Sequence, residues 1–105
     1  MLNRSFPASL KQAVDYGYDE WHGKPVGFVS YGYRHRGLFA VEALRAVYAE
    51  LHTVTVRDGV HLDLLGFDGG MSGAEAEQSA ARMLAQLSWW GHTLREGRAA
   101  RPFTC

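Results

Sequence analysis

The order of segments predicts an α/β fold, a doubly wound parallel sheet of which this chain supplies two strands and three helices. Three observations carry that reading. Val26 to Tyr31 is apolar on both faces except near its end, as a strand covered by helices on both sides should be. A glycine-bounded loop, Gly32 to Gly37, and an amphipathic stretch, Leu38 to Leu51, follow it, which is the strand-turn-helix unit of an open parallel sheet. A second short strand, Thr53 to Val56, comes directly after that helix, and a right-handed crossover would set the two strands parallel. Open parallel sheets bind ligands at the carboxyl ends of their strands, so Ser30 to Gly37 is the first place to look for function.

Each element has its own signal. Pro7 to about Trp21 reads as the first helix: Pro7 suits a first helical position, and Leu10, Val14, Tyr18 and Trp21 recur at helical spacing. Gly17 weakens it by about 1 kcal/mol relative to alanine, and Gly23 with Pro25 supplies the stop. The second helix, Leu38 to Leu51, has one face of Val41, Leu44, Tyr48 and Leu51, with Leu38 and Val47 beside it. Thr53 to Val56 alternates strictly. Gly59 interrupts it, and Val60 to Leu64 continues it after a bulge or bend. Gly66 to Gly73 reads as a mobile loop. The third helix starts at Ser72 with a capping box to Glu75, carries Ala80, Met83, Leu84, Leu87, Trp90 and Leu94 as its stripe, and stops at Gly97. The tail Arg98 to Cys105 reads as frayed.

The 105 residues are enough for one domain. Eleven basic residues balance eleven acidic ones, which leaves no whole-chain field to favour nucleic acid or an anionic membrane. No apolar run is long enough to span a bilayer, and the first residues lack the apolar stretch of a signal peptide. Cys105 is the single cysteine, so an internal disulfide and a cysteine metal cluster are excluded, which fits a reducing cytoplasm. The five histidines include no pair with the spacing of helical metal ligands and no accompanying acidic cluster, so no metal is expected. Two strands make a poor sheet with open edges, so residues 1–105 read as part of a larger single domain.

Three motifs, in order, then point to a family. They are Asn3-Arg-Ser-Phe-Pro-Ala-Ser-Leu-Lys-Gln-Ala-Val-Asp15, Gly23-Lys-Pro-Val-Gly-Phe-Val-Ser-Tyr-Gly32 and Gly37-Leu-Phe-Ala-Val-Glu-Ala-Leu-Arg45. Together they resemble the NAD(P)H-dependent FMN reductases, which have a flavodoxin-like fold. The resemblance implies a five-stranded parallel sheet whose fourth and fifth strands are here, with the FMN-phosphate loop of the first strand outside these residues. It implies FMN and NAD(P)H as cofactors, flavin or quinone as small-molecule electron acceptors, and a homo-oligomer with flavin sites near the interface.

By the same resemblance Ser30, Tyr31, Gly32 and Tyr33 line the flavin, and Asn3 reaches its pyrimidine edge. Glycine permits the close backbone approach a flat ring needs. The family's paired glycines are replaced by Tyr33-Arg-His-Arg, and Phe39 stands where the family has arginine. Arg34 and Arg36 precede a helix N-terminus, where positive charge costs about 0.3–1 kcal/mol each unless an anion sits there. Two readings stand for them, a solvated basic loop or a site for the dinucleotide 2′-phosphate. No catalytic side chain is named, because hydride passes between cofactors. Two functions follow: an NAD(P)H-dependent FMN reductase-type oxidoreductase, or a truncated, non-catalytic remnant or interaction subunit of such a flavoprotein.

Overall fold

In a computed structural model of the chain, which describes residues 3–64 and 73–105, three α-helices flank a narrow ribbon of parallel strands. The first helix, α1, is Ala8–Asp15, followed by a single 3-10 turn at Asp19–Trp21. Strands β1 (Pro25–Val26) and β2 (Val29–Gly32) lead to α2 (Leu38–Glu50). Strands β3 (Val54–Thr55) and β4 (Val60–Asp63) precede α3 (Gly73–Ala100).

The expected parallel pairing is present, and the second strand is interrupted before Val60 as expected, but the first strand, expected to be continuous, is also broken, at Gly27 and Phe28. β1 pairs with β3, Val26 opposite Thr55, and β2 pairs with β4, Val29 opposite Val60. Two residues separate β1 from β2, whereas four separate β3 from β4. The surplus loops out as a bulge around Arg57 to Gly59. Gly59 is required there, because a Cβ would come within 2.8 Å of the Phe28 carbonyl oxygen, which accepts from Val60 N–H.

Both flanking layers hold that bulge. From α2, the Arg45 guanidinium donates to Thr55 Oγ1 and to the carbonyls of Val56 and Arg57, each at 3.1 Å, and lies over the Phe28 ring. From α3, the Gln86 amide brackets Asp58, accepting from its N–H at 3.2 Å and donating to its carboxylate. Backbone groups that leave the ladder are thereby re-paired, as half-buried polar groups must be.

Two cores result. Val14, Phe28, Val41, Leu44, Tyr48 and Leu51 form one beneath α1 and α2, with Trp21 and Val26 packed against it. Val56, Val60 and Met83 form the other beneath α3, with Leu62, Ala80, Leu87 and Trp90 around it. The helix stripes are only partly buried: Leu10, Tyr18, Leu38 and Leu84 are exposed.

The first and third helices differ from expectation. The first stops at Asp15 because the Val14 carbonyl turns to Gly17 N–H and to the Trp21 indole, which swings back beneath the helix at 3.0 Å. The third runs through Gly97 to Ala100. Its Arg98 donates to the Gly23 carbonyl, an anchor that a frayed tail would lack. Beyond it Phe103 packs on His22 and His52, with ring centroids 5.6 and 5.8 Å away. The Gly66 loop and the Ser72 half of the capping box lie outside the described residues, apart from Gly73, the first residue of α3. No described helix is long and apolar enough to cross a membrane.

Arg45 is the test of the clasp. Replacing it with methionine keeps most of its packing but leaves two carbonyls and a hydroxyl without that donor. The expected loss is about 2–3 kcal/mol of unfolding free energy, read by urea denaturation. Arg45→Lys should recover less than half, because an ammonium cannot span three acceptors as the planar fork does.

Candidate functional site

The carboxyl ends of β2 and β4 open into a cleft of about 370 Å³ lined by Tyr31, Gly32, Tyr33, Arg34, His35 and Leu64. The fold positions it simply. Gly32 pairs with Asp63, and Leu64 N–H then bonds the Gly32 carbonyl at 2.9 Å, so the two strands end level with each other. Tyr31 and Tyr33 are 60 % and 64 % exposed, so neither ring packs into the core. Arg34 is exposed and has no side-chain partner among the described residues. The cleft's volume lies at the low end of ligand pockets, about 300–1,000 Å³.

The loop behind the cleft is stapled from one side. Ser30 Oγ lies 2.7 Å from the Arg36 carbonyl and 2.7 Å from His61 Nδ1. A carbonyl only accepts, so the serine hydrogen goes to Arg36, and His61 must donate from Nδ1 to the serine oxygen. Ser30 and His61 are register partners on β2 and β4, so the chain of bonds runs across the ladder and into the loop. With Nδ1 protonated, His61 turns no lone pair toward the serine hydroxyl, and Ser30 is a staple rather than an activated nucleophile.

The turn itself uses consecutive left-handed residues, Arg36 at φ 54° and Gly37 at φ 77°. A Cβ on Gly37 would meet the Tyr31 carbonyl oxygen at 2.8 Å, so strand and helix touch there with no room for a side chain. The first amide of α2 is already used, Leu38 N–H bonding His35 carbonyl at 2.8 Å.

Of the residues singled out from sequence, the structure brings Tyr31, Gly32, Tyr33 and Arg34 together around the cleft. Ser30 faces a separate groove of about 250 Å³ with Phe6, Leu10, Phe28 and Val29. Arg36 is half-buried, and its positive charge helps lower the pKa of the His61 imidazole. Asn3 is exposed at φ 50° and is not among the cleft residues. Its neighbour Arg4 lies over the Phe39 ring at 4.8 Å. Sequence reading missed Leu64 and His61. Both follow from the parallel register, which no local motif reveals.

Two outcomes test this construction. Ser30→Ala would leave the Arg36 carbonyl and the His61 N–H unpaired, and should cost about 1–2 kcal/mol in chemical denaturation. The pKa of His61 is held below the ordinary 6.5 by burial first, then by Arg45 and Arg36. The folded state therefore binds fewer protons than the unfolded one. Its contribution to stability is fully present above pH 6.5 and is lost as pH falls below that value through the lower folded pKa. Unfolding free energy measured against pH should fall more steeply in this window for the native chain than for His61→Gln.

Comparison with known proteins places these features in a lineage. The model of the NADPH-dependent FMN reductase family matches residues 1–64, which span both strand pairs and the cleft. An NAD(P)H-dependent FMN reductase of Saccharomyces cerevisiae is 60% identical over 30 residues, which is 29% of this chain and 16% of that protein. An NAD(P)H-dependent FMN reductase of Schizosaccharomyces pombe is 57% identical over 30 residues, 29% of this chain and 15% of its own length. These similarities therefore cover about a sixth of each relative. No solved structure matches the chain. With more than half of its length matched by the family's model, the chain belongs to the NADPH-dependent FMN reductase family.

Proposed function

We propose that this chain forms the carboxyl-side part of an NAD(P)H-dependent FMN reductase-type oxidoreductase, with the cleft at the ends of β2 and β4 against the flavin. The observation that carries the reading is the Tyr31-Gly32-Tyr33 rim, two exposed aromatic rings either side of a glycine at the carboxyl end of a parallel strand. When bound, FMN would take hydride from the nicotinamide and pass the electrons to a flavin or quinone acceptor. The chain's own residues position and shelter. The tyrosine rings offer flat apolar faces to an isoalloxazine. Gly32, with no side chain, lets the Arg36–Gly37 turn close against the strand end and so sets the floor of the cleft. Arg34 places a positive charge at the rim, where it would meet the anionic part of a dinucleotide. The single cysteine fits action in a reducing cytoplasm.

A second reading has an observation of its own. β2 pairs with β4 on one side, while Val29 and Tyr31 are 63% and 60% exposed beside the Phe6–Leu10 groove. Such an edge accepts another strand, from a second copy or from a different chain, which suits a non-catalytic interaction subunit.

Titrating the chain into FMN and following flavin fluorescence separates the two. Under the reductase reading fluorescence is quenched, NADPH oxidation exceeds that of free FMN, and Tyr33→Ala weakens binding roughly tenfold, about 1.4 kcal/mol. Unquenched FMN together with NADPH left unoxidised would rule out independent catalysis by these residues and favour the interaction subunit.

A further inference from the structure

The end of the molecule opposite the flavin cleft gathers a different chemistry. β1 and β3 begin there, just after Gly23 and His52. Gly23 N–H bonds the His52 carbonyl at 2.9 Å, which fixes the two chain segments side by side. The His22 and His52 rings meet edge to face with centroids 5.1 Å apart. The tail returns to this point: Phe103 packs on both imidazoles, and Cys105 Sγ lies 3.9 Å from His22 Nδ1. One ligand atom from each of His22, His52 and Cys105 falls within 4.8 Å of the others.

We infer that His22, His52 and Cys105 form a three-ligand site for a borderline-soft divalent metal ion, with zinc the fitting case. The donor set is two imidazoles and one thiolate, which zinc accepts together and hard oxygen-seeking cations do not. A tetrahedral ion with bonds of about 2.0–2.3 Å sets its ligand atoms about 3.3–3.6 Å apart. The observed spread closes to that by rotating Cys105 and His52, both exposed.

Two further observations favour ligation over packing. The His22 side chain is 11% exposed, and its Nε2, which is not the atom facing Cys105, makes no hydrogen bond that would fix the ring in a competing orientation. Its Nδ1 has only the Cys105 thiol and the Asp19 carboxylate nearby, each at 3.9 Å, so the ring is committed to no ordinary hydrogen bond. His52 sits at φ 58° directly after the last cap of α2, a left-handed position where glycine or asparagine is the usual choice. A histidine kept there is consistent with a role for its side chain.

Beside the cluster is a cavity of about 500 Å³, lined by His52, Thr93, Arg98, Arg101 and Phe103 among others. It leaves room for a fourth, exchangeable ligand such as water. Arg98 and Arg101 face the same cavity, so the site is weaker than an all-thiolate structural zinc site and favours an anionic fourth ligand.

Cobalt(II) and zinc(II) titrations of the tag-free 105-residue chain test the inference. A thiolate-to-cobalt charge-transfer band should appear with one equivalent of cobalt and vanish on adding zinc. Cys105→Ser should abolish the band. His52→Asn, which keeps a residue suited to the left-handed backbone, should weaken zinc affinity at least tenfold in competition with a chromophoric chelator. Both positions are exposed, and circular dichroism would confirm that the variants fold. A folded native chain with no such band, or variants that take up zinc as the native chain does, would overturn the site and leave a thiol–imidazole contact only. Neither readout involves flavin, so the result stands apart from the reductase reading.

Discussion

The rest of the structure depends on the break in its strand ribbon, because that break decides where both strand ends fall. Parallel strands stay in register only if equal lengths of chain separate successive paired segments. Here they do not, and the surplus on the β3–β4 side must leave the ladder. Three backbone groups would then be stranded. Arg45 from one layer and Gln86 from the other take them up. The bend is therefore the place where both helical layers are joined to the ribbon by directional bonds, in addition to apolar contact.

The functional end follows from it. Once β4 restarts at Val60, His61 stands opposite Ser30, and Gly32 stands opposite Asp63. The staple from His61 through Ser30 to Arg36 can form only in that register. A one-residue slip would turn His61 to the other face and release the loop. Tyr31 shares the exposed face of β2 with Val29, as the two-residue alternation of a strand requires. Arg45 serves both ends of this arrangement. It holds the bulge, and its charge helps keep the neighbouring imidazole neutral.

The ribbon thus has two chemically distinct ends. At the carboxyl end of the strands, aromatic rings and a glycine border an apolar cleft with one basic side chain at its rim. At the amino end, imidazoles and a thiol gather under an aromatic ring. α3 links the bend to the amino end of the ribbon. It contributes Met83 and Gln86 near the bend and Arg98 near the histidines.

The sequence by itself determined the alternation of helices and strands, the parallel sense of pairing, the family and the position of the rim. Those features are written in local periodicity, in turn residues and in motifs such as Gly23-Lys-Pro and Gly37-Leu-Phe-Ala-Val-Glu, all of them short-range. Tertiary structure alone decided the rest. The first helix ends early because Trp21 returns to Val14, and the third continues because Arg98 reaches Gly23, partners seven and seventy-five residues apart. Leu84 looks like core by spacing yet is 56% exposed, since α3 rests on a narrow ribbon that covers only part of its apolar face. Ser30 with His61, and His22 with His52 and Cys105, are pairings between distant segments. Their distances depend on how many residues loop out at the bulge and where the tail turns back, and neither quantity has a local signature.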